Sequence, residues 1–251
     1  MITGASGGLG LAFARICAKK HYDLVLVARS EGKLHALKDQ LENEYGIRVY
    51  VCPADLSVPD AALDVYNYTG KNGLTIDVLI NNAGFGDDGS FADCDWQKQY
   101  DMVQVNITAV MHLTHCFLKG MIERRKGKIL NVSSVASFCA GPDMSVYYAS
   151  KAFIRSFSEA LAEEVRGTGV TVTALCPGPT ATGFEKAAAM KSGSMMFRKA
   201  ASAEDVAEAG IKALEEGRVL CYPGVFVKTV NILSRLAPRS VTRKFAERMN
   251  H

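Results

Sequence analysis

Short apolar runs alternate along the chain with longer stretches in which apolar residues recur every three or four positions. The short runs are rich in β-branched residues and predict strands at 23–28, 48–53, 78–81, 128–133, 170–175 and 218–222. The periodic stretches predict helices at 9–20, 31–45, 59–68, 96–124, 147–166 and 203–216. Because alternating strands and helices form βαβ units with right-handed crossovers, the pattern predicts an α/β fold with a doubly wound parallel sheet and helices on both faces.

The composition predicts one domain that spans residues 1–251. Of the 251 residues, 48% are hydrophobic and 22% charged, which is enough to fill one large α/β core, and no Pro- or Ser-rich linker interrupts it. No signal peptide fits, because a glycine-rich segment begins almost at the first residue, and no apolar run is long enough to span a bilayer.

The cysteines and histidines favour reduced thiols over bound metal. The seven cysteines are scattered and form no Cys-x-x-Cys pair, which favours free thiols in the cytoplasm. His112 and His115 have no acidic or cysteine partner nearby, so we expect no metal site.

A glycine-rich segment, residues 3–10, lies directly before the first predicted helix. Glycines there allow a tight turn and let backbone amides approach a pyrophosphate, while the N-terminus of the helix attracts an anion. Alone, the segment is equally consistent with an ordinary turn. Within the βαβ pattern it predicts a Rossmann-type dinucleotide site with contacts from Gly4, Ser6, Gly7, Gly8, Leu9 and Gly10.

The end of the strand at 23–28 bears on the choice of cofactor. An acidic residue at this point would hydrogen-bond a ribose 2′-hydroxyl, but the chain has Ala28 followed by Arg29. A guanidinium suits a 2′-phosphate, so NADP(H) is favoured over NAD(H). The alternative is that Arg29 is a solvated residue at the start of a helix.

Tyr147 and Lys151 are four residues apart on a predicted helix, and Ser134 lies thirteen residues upstream of Tyr147. Positions i and i+4 share one face of a helix, so an ammonium at Lys151 can lower the pKa of the phenol. Moving that pKa from about 10 to about 7 requires roughly 4 kcal/mol, to which the positive charge of an oxidised nicotinamide would also contribute. An isolated Tyr-x-x-x-Lys match is usually an ordinary helix face, but the glycine-rich segment makes a redox site the better interpretation.

The order and spacing of these motifs resemble the short-chain dehydrogenase/reductase superfamily over essentially the whole chain. Further fragments fit the same resemblance: Asp55-Leu56, Asn81-Asn82-Ala83-Gly84, Asn106, and Pro177-Gly178 with Thr180. The resemblance implies that the cofactor contacts extend to Arg29, Asp55, Leu56, Asn81, Ala83, Gly84, Tyr147, Lys151, Pro177, Gly178 and Thr180.

The resemblance also implies the catalytic roles. Tyr147 would exchange a proton with the substrate oxygen while a hydride passes between nicotinamide and the substrate carbon. Ser134 would stabilise that oxygen, Lys151 would hold the nicotinamide ribose, and Asn106 would hold a water that links Lys151 to solvent. Subunit contacts through the helices at 96–124 and 147–166, giving a homodimer or homotetramer, are implied by the resemblance alone.

One departure from the family concerns the first strand, because only two residues precede Thr3. A missing central strand would leave backbone groups of its neighbours unpaired, at about 1–3 kcal/mol for each buried group. Either the start is truncated or a neighbour compensates.

Two segments bear on substrate and partners. Residues 178–201 contain Phe184, Met190, Met195, Met196 and Phe197, and predict a lid over a bulky apolar substrate, with Phe138 and Met144 as the opposite wall. The alternative is that these side chains pack on the protein itself. The tail at 225–251 is amphipathic and carries six basic residues against one acidic residue, out of a net charge of +3 for the chain. Contact with an anionic membrane or an acidic carrier fits the tail, but subunit contact or a solvated helix face is favoured, and binding of nucleic acid is not expected.

Three functions remain open. The leading hypothesis is an NADP(H)-dependent oxidoreductase that acts on the carbonyl or hydroxyl carbon of an apolar ketone, aldehyde or alcohol, such as a steroid-like or acyl compound. A ketoacyl-thioester reductase would use the same residues on a carrier-linked substrate. A non-catalytic NADP-binding regulatory protein is disfavoured, because Asn106, Ser134, Tyr147 and Lys151 are all present.

Overall fold

The computed structural model describes residues 1–184, 188 and 200–250, with side chains given as far as residue 248. Its sheet has seven parallel strands in the order β3-β2-β1-β4-β5-β6-β7. The strands are β1 (Ile2–Thr3), β2 (Leu24–Ala28), β3 (Val49–Pro53), β4 (Val78–Asn81), β5 (Gly127–Val132), β6 (Val170–Leu175) and β7 (Leu220–Cys221). The predicted doubly wound α/β fold is confirmed, and the six predicted strands lie within two residues of the observed ones at either end.

Helices cover both faces of the sheet. They are α1 (Gly8–Lys19), α2 (Glu31–Tyr45), α3 (Ala61–Lys71), α4 (Trp96–Val103), α5 (Ala109–Glu123), α6 (Ser145–Glu164), α7 (Ala203–Glu215), α8 (Gly224–Leu236) and α9 (Arg239–Asn250). Buried side chains of α1, α2 and α7 form one apolar cluster against the sheet, and those of α3, α5 and α6 form another on the opposite face. None of the helices in the described ranges is long and apolar enough to cross a membrane.

The chain runs from β1 outward to β2 and β3, and then returns to β4 on the other side of β1. Strand order therefore reverses between β1 and β4. In doubly wound sheets the ligand crevice opens at such a reversal, beyond the carboxyl ends of the strands.

The first strand is present but short. Ile2 pairs with Leu26 and with Ile80, so β1 occupies the central position between β2 and β4. The terminal ammonium of Met1 donates to the carbonyl of Val78 at 2.7 Å. Two residues thus provide the central pairing that the sequence appeared to lack.

The predicted helix at 96–124 is confirmed as a helical stretch from Trp96 to Glu123, with one local departure from α-helical geometry. Its α-helical hydrogen bonding is interrupted by a π-helical turn at Gln104–Thr108, which separates α4 from α5. Wider turns of this kind occur at functional sites, and this one carries Asn106.

Candidate active site

A cleft of about 520 Å³ opens at the reversal of strand order. Its walls are the loop between β1 and α1, the residues after β4, β5 and β6, and one face of α6. Thirteen predicted site residues line it: Gly4, Ser6, Gly7, Gly8, Leu9, Ala83, Gly84, Ser134, Tyr147, Lys151, Pro177, Gly178 and Thr180. The structure therefore brings the candidate cofactor loop and the candidate catalytic residues into one cavity.

The loop before α1 is shaped to hold an anion. Gly4 and Gly8 have φ of +66° and +53°, which side chains with a Cβ rarely adopt. A Cβ on Gly8 would also lie 2.9 Å from the Cβ of Thr182. Helix α1 has Gly7 at its N-cap, no side-chain cap and no acidic residue in its first turn. Its first amides are thus free of side-chain caps, as a pyrophosphate site requires.

Gly10 does not line the cleft, although the sequence predicts it as a cofactor contact. A Cβ on Gly10 would lie 2.1 Å from the carbonyl oxygen of Gly4. The residue therefore permits close approach of α1 to the preceding turn.

Asn81, which the sequence predicts as a cofactor contact, does not line the cleft either. Its amide is buried and donates to Asn131 Oδ1 at 2.9 Å and to Thr114 Oγ1 at 3.2 Å, so it joins β4 to β5 and α5. The neighbouring Asn82 lines the cleft instead, and its Nδ2 donates to the carbonyl of Thr3 at 2.8 Å. Strand alternation explains the difference, because consecutive residues point to opposite faces.

Arg29, Asp55 and Leu56 lie outside the lining of the cleft. Leu56 is buried in the core, and the side chain of Arg29 is 77% exposed with its guanidinium 4.0 Å from the carboxylate of Asp55. Burial acts to raise the pKa of Asp55, but hydrogen bonds from Ser57 and the charge of Arg29 outweigh burial and hold that pKa below its usual value. Lys33, which sequence reasoning missed, lines the cleft. The sequence feature that pointed to Lys33 is its position, since it is a second basic residue four positions after Arg29.

Tyr147 and Ser134 lie within hydrogen-bonding distance of each other in the cleft. Ser134 caps the short 3₁₀ helix Val135–Phe138, with its Oγ accepting from the amide of Ala136 at 3.1 Å. Burial raises the pKa of Tyr147 to about 12, and a hydrogen bond with the side chain of Ser134 acts in the opposite direction. The chain's own residues therefore hold this phenol protonated at neutral pH, and the lowered pKa that the sequence predicts depends on the added positive charge of an oxidised nicotinamide.

Lys151 lies deeper than Tyr147. Its Nζ donates to the carbonyl of Val132 at 3.0 Å and lies 5.7 Å from the centre of the Tyr147 ring. Burial lowers the pKa of Lys151 to about 8, while the nearby Cys176 acts to raise it. Lys151 is therefore still protonated at neutral pH, but its ammonium loses its proton more readily than that of an ordinary lysine.

Asn106 lies directly behind the cleft. Its Nδ2 donates to the carbonyl of Phe85 at 2.9 Å and to Ser150 Oγ at 3.1 Å, and its Oδ1 accepts from the amide of Phe85 at 3.1 Å. Gly84 separates this amide from the lysine, since a Cβ there would lie 3.0 Å from Asn106 Oδ1 and 3.2 Å from Lys151 Nζ. The side chain of Asn106 is thereby fixed close to the ammonium of Lys151.

The residues next in sequence to the candidate catalytic pair have other roles. Ser133 donates its hydroxyl to the carbonyl of Lys151 at 2.7 Å and so anchors α6 to the end of β5. Tyr148 is buried against Gly141, where a Cβ would lie 2.5 Å from its ring, although it also contributes to the wall of the cleft.

An apolar wall lies beside Tyr147. The ring of Phe184 is 5.2 Å from that of Tyr147, and both approach Gly86 together with Met144. A Cβ on Gly86 would lie 2.7 Å from Phe184, so this glycine is needed for the close packing. Met144 and Phe184 therefore stand where the sequence predicts substrate walls.

The rest of the predicted lid is only partly described. Phe138 does not line the cleft; its ring contacts Tyr222 and the guanidinium of Arg155. Met190, Met195, Met196 and Phe197 lie outside the described residues. At the base of the segment, Ala201 donates to the carbonyl of Pro179 and accepts from the amide of Ala181. The two ends of the segment are therefore held together.

Among the residues that the structure describes, no group of three or more His, Cys, Asp or Glu side chains is placed to hold a metal ion. A buried cation, a phenol and a hydroxyl next to an anion-binding loop can instead hold a dinucleotide and move a proton.

Comparison with known proteins identifies the family. The family model for short chain dehydrogenases matches residues 1–193. The very-long-chain 3-oxoacyl-CoA reductase of Anas platyrhynchos is 36% identical over 192 residues, which make up 74% of this chain and 61% of that protein. The chain spans about half to three fifths of the length of the 3-oxoacyl-CoA reductases that it matches.

Two solved structures carry nicotinamide cofactors on the same fold. A short-chain dehydrogenase from Sphingobium yanoikuyae in complex with NADPH has a TM-score of 0.84 at 28% identity, covering 96% of this chain and 93% of that chain. A short-chain dehydrogenase/reductase from Burkholderia phymatum in complex with NAD has a TM-score of 0.85 at 26% identity, covering 96% and 94%. With a family model that matches most of its length and these structural relatives, the chain belongs to the short chain dehydrogenase family.

Proposed function

We propose that the protein is an NADP(H)-dependent oxidoreductase that transfers a hydride between nicotinamide and the carbonyl or hydroxyl carbon of a bulky apolar substrate. The observation that carries the proposal is the single cleft that joins an anion-binding glycine loop to Ser134, Tyr147 and Lys151. When bound, a nicotinamide cofactor supplies or accepts the hydride.

The chain's own residues move the proton and orient the reacting oxygen. During reduction Tyr147 gives its phenolic proton to the substrate oxygen, and the hydroxyl of Ser134 donates a hydrogen bond to the same atom. Lys151 holds the nicotinamide ribose, and its charge stabilises the phenolate that remains. Asn106 holds a water beside Lys151, through which the proton of Tyr147 is restored from solvent.

Replacement of the phenol tests the reaction. We expect Tyr147→Phe to lower kcat for NADPH-dependent ketone reduction by about 10²–10⁴-fold, the usual contribution of a general acid. Tyr148→Phe, at the adjacent position, is the matched control and retains activity. Absorbance of reduced nicotinamide measures both variants, and melting curves and NADPH affinity confirm that they fold and bind. Undiminished turnover by Tyr147→Phe would reject the proposal.

Preference for NADP(H) rests on two cations near the end of β2. Arg29 is exposed there, and Lys33 lines the cleft four residues later. Both are free to approach a 2′-phosphate, although Arg29 also approaches Asp55. We expect Arg29→Ala to raise KM for NADPH about tenfold or more, since a charge-assisted hydrogen bond contributes about 1.5–3 kcal/mol, and to leave KM for NADH nearly unchanged. A preference of the unmodified protein for NADH contradicts this assignment.

A ketoacyl-thioester is the second candidate substrate class. The printed name of the Anas platyrhynchos relative, a very-long-chain 3-oxoacyl-CoA reductase, favours it. The apolar wall of Met144 and Phe184 suits an acyl chain as well as a ring system. A panel that pairs free bulky ketones with 3-oxoacyl thioesters distinguishes the two by kcat/KM. Inertness towards the whole panel, despite tight NADPH binding, would favour a regulatory protein.

Two further features belong to the proposal. We place the protein in the cytoplasm, which the seven free thiols support. We also propose a homo-oligomer through the outer faces of α4, α5 and α6, where Trp96, Tyr100 and Phe153 are exposed.

A further inference from the structure

Helix α8 turns its apolar face outward. Successive residues of an α-helix are 100° apart, and the inward side of α8 carries the buried Val227 and Asn231. The opposite side is apolar apart from Thr229. Its residues are exposed as follows: Val225 80%, Phe226 46%, Ile232 58%, Leu233 57% and Leu236 79%. An exposed apolar patch of this size marks a surface that binds another apolar surface.

Basic residues flank this apolar face. Lys228 and Arg235 lie on one side of α8, about 80–100° from Val227. Helix α9 continues the surface with the exposed Val241 and Phe245 and with further basic residues, Arg239, Arg243, Lys244 and Arg248. Residues 224–251 contain six basic side chains and one acidic side chain, Glu247. Within the described ranges, no salt bridge neutralises any of the six.

The positive charge of α8 and α9 determines which kind of partner this surface can bind. A second copy docked face to face would place a surface with five excess positive charges against its equal, and the repulsion would oppose apolar contact. An anionic lipid surface offers the complement, with phosphates for the basic flank and acyl chains for the apolar face. The 13 residues of α8 span about 20 Å, which is too short to cross a bilayer, so the helix would lie in the plane of the interface.

We propose that α8 and α9 form a docking surface for an anionic lipid bilayer. The surface adjoins the active-site cleft. A Cβ on Gly178, which lines the cleft, would lie 3.1 Å from Val227 and 3.4 Å from Phe226. On α9, Ala246 packs in the apolar cluster of Met144 beside Tyr147. Docking therefore places the apolar wall of the cleft next to the lipid.

Vesicle co-sedimentation tests the proposal with the full chain. The probes are phosphatidylcholine vesicles with and without phosphatidylglycerol, at low and high salt. We expect binding to the anionic vesicles that weakens at high salt, and much weaker binding to the neutral ones. No binding to anionic vesicles, or equal binding to both kinds, overturns the proposal.

Two pairs of substitutions locate the surface. Ile232→Glu with Leu236→Glu removes the apolar contact, and Lys228→Glu with Arg235→Glu reverses the basic flank. We expect each pair to weaken vesicle binding on the order of tenfold or more. Leu63→Glu and Lys71→Glu, on the exposed side of α3, are matched controls that leave vesicle binding unchanged.

Two control measurements separate docking from misfolding and from self-association. Melting temperature and reduction of a small soluble ketone verify that every variant folds, and the charge pair keeps the test valid should the apolar pair fail to fold. Sedimentation velocity follows oligomeric state. If the apolar pair dissociates a dimer and vesicle binding is unchanged, the face belongs to a second copy and the proposal fails.

Discussion

At the scale of single residues, the phenol of Tyr147 shows how burial and charge compete. Burial withholds water from the phenolate and so raises the pKa of Tyr147. The hydrogen bond from Ser134 lowers this pKa by less than burial raises it, and the pKa is therefore about 12. Lys151, whose own pKa burial lowers to about 8 and whose Nζ donates to the carbonyl of Val132, does not by itself offset the effect of burial on the phenol. A positive nicotinamide is therefore the charge that must bring the phenol towards neutrality.

The titration of Tyr147 is the first prediction. We expect the nucleotide-free protein to keep this phenol protonated at pH 10, where an ordinary tyrosine is half ionised, because its raised pKa is not yet reached. NMR of ring-labelled tyrosine, with the signal assigned by its loss in Tyr147→Phe, measures the pKa. Addition of NADP⁺ should move the titration to lower pH. A midpoint below 10 without nucleotide would show that burial does not dominate.

The second prediction concerns Asn81. Its removal leaves Asn131 Oδ1 and Thr114 Oγ1 without their buried donor, so Asn81→Ala should lower the free energy of unfolding by about 1–3 kcal/mol. KM for NADPH should be unchanged, because the side chain points away from the cleft. Asn82→Ala is the comparison. It removes the hydrogen bond from Asn82 Nδ2 to the carbonyl of Thr3 and should therefore raise KM for NADPH. Urea unfolding and initial rates measure both, and the reverse pattern would return Asn81 to the cofactor site.

Motif order predicted which residues meet in the cleft, but not the direction of each side chain. Gly4, Gly8, Tyr147 and Lys151 were accessible to sequence reasoning because their roles follow from backbone freedom and helical spacing. Asn81 and Asn82 are chemically identical neighbours, and only strand register separates them. Lys33 was missed because its spacing from Arg29 does not by itself show that its side chain reaches the cleft.

At the scale of secondary structure, the sheet was predictable and two local features were not. Apolar runs of four or more residues predicted six strands, whereas the two residues of β1 are too few to form a recognisable run. The π-helical turn around Asn106 leaves the apolar periodicity of 96–124 intact, so it cannot be seen in a pattern.

The pairing around β1 yields the third prediction. All five residues of β2 pair with β3, but only Leu26 and Val27 pair with β1; likewise Ile80 alone of the four residues of β4 pairs with β1. Three β-branched residues added before Met1 can extend the ladder on both sides. At about 1 kcal/mol for each new hydrogen bond, the melting temperature should rise by roughly 5 °C or more.

The pH dependence of the same variant sharpens the test. Burial lowers the pKa of the Met1 ammonium to about 6, so between pH 6 and 8 the unfolded chain binds more protons than the folded chain. The stability of the 251-residue chain should therefore rise across this window, by up to about 3 kcal/mol, and the extended chain should lack the rise. A Gly-Ser extension of equal length is the control for the ladder. An unchanged melting temperature for the β-branched extension would contradict the pairing argument.

At the scale of the whole molecule, charge and apolar surface are divided between two regions. The tail from residue 228 has a net charge of +5. Because the net charge of the whole chain is +3, the rest of the chain has a net charge of −2. The exposed apolar residues of α8 are aliphatic apart from Phe226 and lie in the basic region, whereas aromatic side chains are exposed on α4 and α6. The sequence predicted an amphipathic tail, but periodicity does not say which face turns inward. That choice depends on the shape of the surface on which α8 packs.

The last prediction uses the aromatic patch on α4 and α6. Trp96, the only tryptophan, is 68% exposed, and Tyr100 lies one turn later on the same face. On the adjacent α6, Phe153 is exposed and stacks on Phe157. If copies associate through this patch, Trp96 leaves water, and its fluorescence should shift to shorter wavelength as protein concentration rises. Phe153→Arg should abolish the shift and yield monomers in sedimentation velocity, because association would bury an unpaired charge. Leu236→Glu, in the tail, is the matched control and should leave the shift unchanged. An emission maximum independent of concentration, in a protein that still sediments as an oligomer, would place the subunit contact elsewhere.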